Sequence, residues 1–135
     1  MITNADMTIY NKYLALGAEK YQRTVINDVR WENRKAVNGM KSGLLASNIA
    51  KVMIQFAQGA NYLKQKAWQA LVTKTGKWTL QEGDVIVKGS VAEEITTSFT
   101  ITNLKAKYDD VLVITSVDTF DIGSPFMHHW EVGAK

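Results

Sequence analysis

Short runs in which apolar side chains fall at every second position recur along this chain, and they limit its possible folds more than any other feature. In KYQRTVINDVRWE, residues 20–32, Val25, Val29 and Trp31 share one parity, while Thr24, Asp28, Arg30 and Glu32 take the other. Successive side chains of a strand point to opposite faces, so this pattern predicts a half-buried strand, with Ile26 as an exception packing elsewhere. AKVMIQFA predicts another, with Val52, Ile54 and Phe56 on the buried face. VLVITSV, Val111 to Val117, is β-branched and apolar on both parities and is expected to be the most buried strand, with Phe120 and Ile122 extending it. Phe126, His128, Trp130 and Val132 alternate in a last strand, after a turn at Gly123-Ser124-Pro125 that holds the sole proline. Met7 to Tyr13 reads as a further strand.

Helical spacing is scarcer. Leu63, Ala67, Trp68, Leu71 and Val72 suit a helix with Asn61 as its N-cap and Gly76 near its end. A second short helix is expected from Thr100 to Lys107, where Ile101, Leu104 and Tyr108 are suitably spaced. Between residues 33 and 48 lies a segment with Gly39, Gly43, Arg34, Lys35 and Lys41 and no sustained period, which reads as a long loop. With this little helix to cover a sheet, the expected class is mainly β. It should be a small barrel or sandwich of five to six strands, with one or two short helices and a long loop near residues 33–48.

A chain of 135 residues that is 46% hydrophobic can bury one core, so residues 1–135 are read as a single domain. It has no cysteine, so packing or partners must hold it together. No apolar run reaches the roughly 18 residues of a spanning helix, and the N-terminus lacks the pattern of a leader, so the expectation is a non-membrane, non-exported protein. Sixteen basic residues against 13 acidic ones give a mild excess spread along the chain rather than a polybasic tail.

Reactive motifs are sparse. His128 and His129 are adjacent, and on a strand they point to opposite faces, which argues against one shared metal ion. By parity His128 should be partly buried and His129 at the surface. Glu93-Glu94 and Asp109-Asp110 flank expected element boundaries, where carboxylates commonly solvate turns. No Ser or Thr sits in a nucleophile elbow, and Gly83-Asp84 lacks the glycine spacing of a phosphate loop. Neither an enzyme nor a cofactor is expected. Four tryptophans and the basic residues could form a single-strand stacking platform on an OB-like barrel, although three of the four fall on expected buried faces.

WTLQEGDVIVKG, residues 78–89, combines an apolar pair, Trp78 and Leu80, with a turn at residues 81–84 and a strand at Val85-Ile86-Val87. It is strand grammar with no reactive group. This segment, together with Asn4-Ala5-Asp6, Thr8-Ile9-Tyr10-Asn11, Arg23-Thr24-Val25-Ile26 with Val29 and Trp31, Val113-Ile114-Thr115-Ser116-Val117 and His129-Trp130-Glu131-Val132-Gly133, resembles small tailed-bacteriophage neck proteins. More distantly, a tryptophan, a Gly-Asp opening a strand and a strand ending in Thr-Ser-Val resemble the head-closure, or head-tail stopper, connector proteins.

The resemblance implies a β-barrel that self-associates into a ring below the portal and adaptor, meets tail proteins beneath, and surrounds the channel for packaged double-stranded DNA. It implies a structural protein of the virion, assembled in the bacterial host cytoplasm. Gly83 and Asp84 would then be a structural corner into a barrel strand, the glycine tolerating positive φ and the aspartate bonding backbone nearby. Arg34, Lys35 and Lys41 would be candidate channel- or DNA-facing residues. The helix expected near residues 63–72 exceeds what a minimal barrel needs. A tail-completion, tail-terminator or minor capsid role therefore stays open, as does an OB-like single-stranded nucleic-acid-binding protein.

Overall fold

The computed structural model describes residues 2–33 and 49–135. Six antiparallel strands close into a barrel: β1 (Ala5–Ala15), β2 (Ala18–Asn33), β3 (Ala50–Gln55), β4 (Val85–Lys88), β5 (Val111–Phe120) and β6 (His129–Ala134). Around the barrel their order is β1-β2-β3-β6-β5-β4. The mainly-β expectation holds, with the barrel as the form adopted. Arg34, Lys35 and Lys41 lie outside the described residues.

The interior is filled from alternate positions of every strand: Met7 and Ile9, Ile26, Val29 and Trp31, Val52 and Ile54, Ile86, Leu112 and Ile114, and Trp130 and Val132. Ile26 breaks the parity of β2 for a structural reason. Ala5 pairs with Val29 but Met7 pairs with Ile26, so β2 carries one extra residue opposite Asp6. Such a bulge switches the inward parity midway along the strand, bringing both Ile26 and Val29 into the core. Asp28 takes φ 57° there. Its N–H donates to Asp6 Oδ1 at 3.0 Å, which holds the bulge.

Two long connections complete the fold among the described residues. Residues 56–84 cross the barrel end reached by β3 and contain α1 (Gln65–Gln69). From this connection Trp78 and Leu80 enter the main core, joined by Tyr62 and Phe56. Tyr62, Trp78 and Trp130 form an aromatic cluster, with ring centroids 5.1 Å apart for Tyr62–Trp78 and 4.4 Å for Tyr62–Trp130. The second connection, residues 89–110, straps the outside of β1, β4 and β5 and contains α2 (Ile101–Lys107). There Tyr10, Val85, Val87, Val91 and Leu104 form a second core. Alternation along β1 and β4 thus buries one set of side chains in the barrel and the other beneath the strap.

Several expectations require correction. The helix anticipated from Leu63 to Val72 is a single turn that ends at Gln69, well before Gly76, and Asn61 is no N-cap: it takes φ 66°, and Lys64 holds the N-cap position with no side-chain bond. Trp68, fully buried, fixes this turn, while Val72 is fully exposed. The second helix runs from Ile101 to Lys107 as expected, with a capping box between Thr100 and Asn103. β4 and the middle of β1 are more uniformly buried than β5. The last strand begins at His129, because residues 125–127 form a 3-10 turn that leaves Phe126 exposed. His129 is partly buried, stacked on Phe120 at 5.0 Å between ring centroids.

Candidate functional site

β1 and β5 both run antiparallel to β4, so both travel in one direction, and the hairpin turns that follow them leave the barrel at the same end. Each hairpin outruns the closed sheet. β1 pairs with β2 to its tip at Ala15, but with β4 only from Met7 to Tyr10. β2 meets β3 only from Arg30 to Asn33, which leaves Ala18–Val29 without a strand on its second edge among the described residues. β5 pairs with β4 only from Val111 to Val113 and with β6 from Ile114 to Phe120.

A polar clamp from the WTLQEGD segment holds the root of the β1–β2 arm. Asn11 Nδ2 donates to the Thr79 carbonyl at 2.9 Å and to Asp84 Oδ2 at 2.8 Å. The Lys12 N–H donates to Asp84 Oδ1 at 3.2 Å, and Gln81 Nε2 donates to the Lys12 carbonyl at 3.1 Å. These side chains bind β1 next to the start of β4, where the β4 pairing stops at Tyr10. Asp84 is 2% exposed and Asn11 wholly buried, so unmade bonds here would be costly. Burial pushes the Asp84 carboxyl above its ordinary range, opposed by hydrogen bonds from Asn11, Gln81 and the Lys12 N–H. Gly83 is the expected corner, with φ 92°. Asp84 does more than expected: its carboxylate ties the turn to β1, not merely to adjacent backbone.

The arm tips are apolar and exposed. Leu14 and Leu16 cap the β1–β2 arm at 73% and 106% exposure, while Ile122, Phe126 and Met127 crown the β5–β6 arm at 83%, 88% and 63%. His129 braces the root of the latter: its Nδ1 faces the Met127 carbonyl at 2.8 Å and its Nε2 faces Glu131 Oε2 at 3.2 Å. Lys51 also pairs with Glu131. Burial pushes the Glu131 carboxyl upward, but the bonds from Lys51 and His129 prevail and hold it below its ordinary range.

Opposite the clamp, the strap is pinned by charge. Glu93 accepts from Tyr108 Oη at 2.6 Å and pairs with Lys107. Those two bonds hold its carboxyl below the usual value. Tyr10 Oη donates to the Glu93 carbonyl at 2.7 Å, and Thr8 Oγ1 donates to that of Gly89 at 2.8 Å. Burial pushes the Tyr10 hydroxyl far up, so it stays protonated. Between this strap and the β1–β2 arm lies an open cleft of about 720 Å3, lined by Tyr13, residues 18–21, residues 95–97 and residues 100–102.

Among the sequence-nominated residues, Gly83 and Asp84 fall in the clamp. All four tryptophans are buried, at 7% exposure or less, so none offers an open stacking face. His128 and His129 reach different partners, the Gly123 and Met127 carbonyls. Sequence reasoning missed the arm tips. Ile122 and Phe126 read as strand residues and Leu14 and Leu16 lie beyond the expected first strand, and only the hairpin lengths reveal them as exposed.

No curated protein and no solved structure matches the chain. A family model described as a family of unknown function (DUF6751) matches residues 2–135, and this chain belongs to that family.

Proposed function

We propose that this protein is a structural component of a tailed-bacteriophage neck, a head-closure or stopper subunit that assembles into a ring and joins the DNA-filled head to the tail. The observation that carries the reading is the pair of apolar-tipped arms projecting from one end of a closed barrel. Exposed large apolar side chains gathered at such tips mark interaction sites. The barrel also agrees with the architecture implied by the sequence resemblance.

The role is mechanical. The barrel and its aromatic plug provide a rigid wedge, and the clamp at Asn11, Gln81 and Asp84 fixes the direction of one arm. Portal or adaptor proteins above, tail proteins below and packaged DNA in the lumen are the proposed partners, with the virion as the place of action. Disruption of the gene in its parent phage, followed by electron microscopy, tests this reading. Separate heads that leak DNA, beside complete free tails, are expected; tailed heads with normal DNA would exclude it.

A further inference from the structure

The two arms differ in a way that suits them to each other rather than to copies of themselves. On the β5–β6 arm the exposed charges are Asp118 and Asp121, neither in an ion pair among the described residues, beside exposed Ile122, Phe126 and Met127. On the β1–β2 arm Glu19 is paired with Lys12 at 3.7 Å, which leaves exposed Lys20 as the charge of β2 near its tip that is in no ion pair among the described residues. Lys20 lies in the wall of the 720 Å3 cleft, as do Tyr13, Tyr21, Ile95 and Ile101.

Four consecutive β2 residues, Ala18 to Tyr21, line that cleft. Neighbouring strand side chains point to opposite faces, so a consecutive run in one wall means that the strand edge itself forms it. That edge has no strand partner among the described residues. Among the described residues, one side of the molecule therefore presents a cleft with an unpaired strand edge, apolar lining and a cation in no ion pair. The other presents an acidic arm with apolar side chains at its tip.

We infer that neighbouring copies of this chain join head to tail, the β5–β6 tip of one copy entering the cleft between β2 and the strap of the next. Phe126 is the anchor, flanked by Ile122 and Met127, and Asp118 and Asp121 answer Lys20. Each copy thus uses two different surfaces, the condition for a heterologous interface that closes a ring. The inference rests on the assembly reading above and names its interface.

Sedimentation velocity on the purified chain over a concentration series tests it, with two surface variants. Ile122→Ser with Phe126→Ser removes the tip, and Lys20→Glu with Thr97→Glu repels it from the cleft; the first two positions lie on the tip, the other two line the cleft, and all four are exposed. Each variant alone should weaken self-association at least about thirtyfold, the loss expected when a buried aromatic anchor is removed. Mixed in equal amounts they should form discrete dimers, because one copy keeps its cleft and the other its tip. Unfolding midpoints equal to wild type verify that both variants fold.

A wild-type chain that stays monomeric at every concentration overturns the inference, as does either variant assembling as tightly as wild type or a mixture that yields no dimer. Gene disruption reads the connector role separately. Self-association indifferent to these substitutions would defeat the interface and leave that role standing, whereas normal tailed particles would defeat the role whatever the interface.

Discussion

Asp84 shows how one side chain can serve a fold without performing chemistry. Asp84→Ala leaves the Asn11 amide and the Lys12 N–H without their acceptor and should cost about 1–3 kcal/mol in urea unfolding. Asp84→Asn retains one acceptor oxygen and should cost less. The pH dependence follows from burial, which raises the folded pKa above the unfolded value. In that window the native state binds more protons than the unfolded chain, so this residue makes stability fall as pH rises through it. Unfolding measured between about pH 4 and 7 should therefore show a wild-type loss that Asp84→Asn flattens. Gly83 has a different sensitivity: an added Cβ would meet nothing within 4 Å, yet φ 92° disfavours any L side chain. Gly83→Ala should cost about 1 kcal/mol by the same unfolding measurement.

The strap depends on Glu93, whose carboxylate links Tyr108 and Lys107 while its carbonyl receives Tyr10. Its folded pKa is depressed, so its contribution is present above the unfolded value and lost as pH falls through the folded one. Glu93→Gln should raise amide exchange across residues 89–100 at neutral pH while β1 and β4 stay protected. Wild type should approach that pattern only below the ordinary carboxylate range. Among the elements, β3 and α2 were legible because Val52 and Ile54, and Leu104 with the Thr100 cap, follow simple periods. Where long-range contacts decide, the local pattern misled. Trp68 packs against Tyr13 across the molecule rather than on the face of a helix from Leu63 to Val72, and the β2 parity changes at a bulge held by Asp6, far away in sequence. The clamp was legible as a turn but not as a bond to β1, because Asn11 and Asp84 are brought together only by barrel closure.

At the scale of the whole molecule, closure leaves two hairpins longer than the sheet needs, and this excess supports the assembly reading. The alternating patterns and the scarcity of helix indicate a barrel or a sandwich without deciding between them. They do not reveal which apolar residues stay outside, since exposed Leu16 and buried Leu80 look alike until the arms are traced. The most direct test of the connector role is electron cryo-microscopy of the mature parent phage, with this barrel fitted into density between portal and tail. The account predicts a closed ring of copies there, tip to cleft. Particles that retain an intact neck containing no copy of this chain would contradict it.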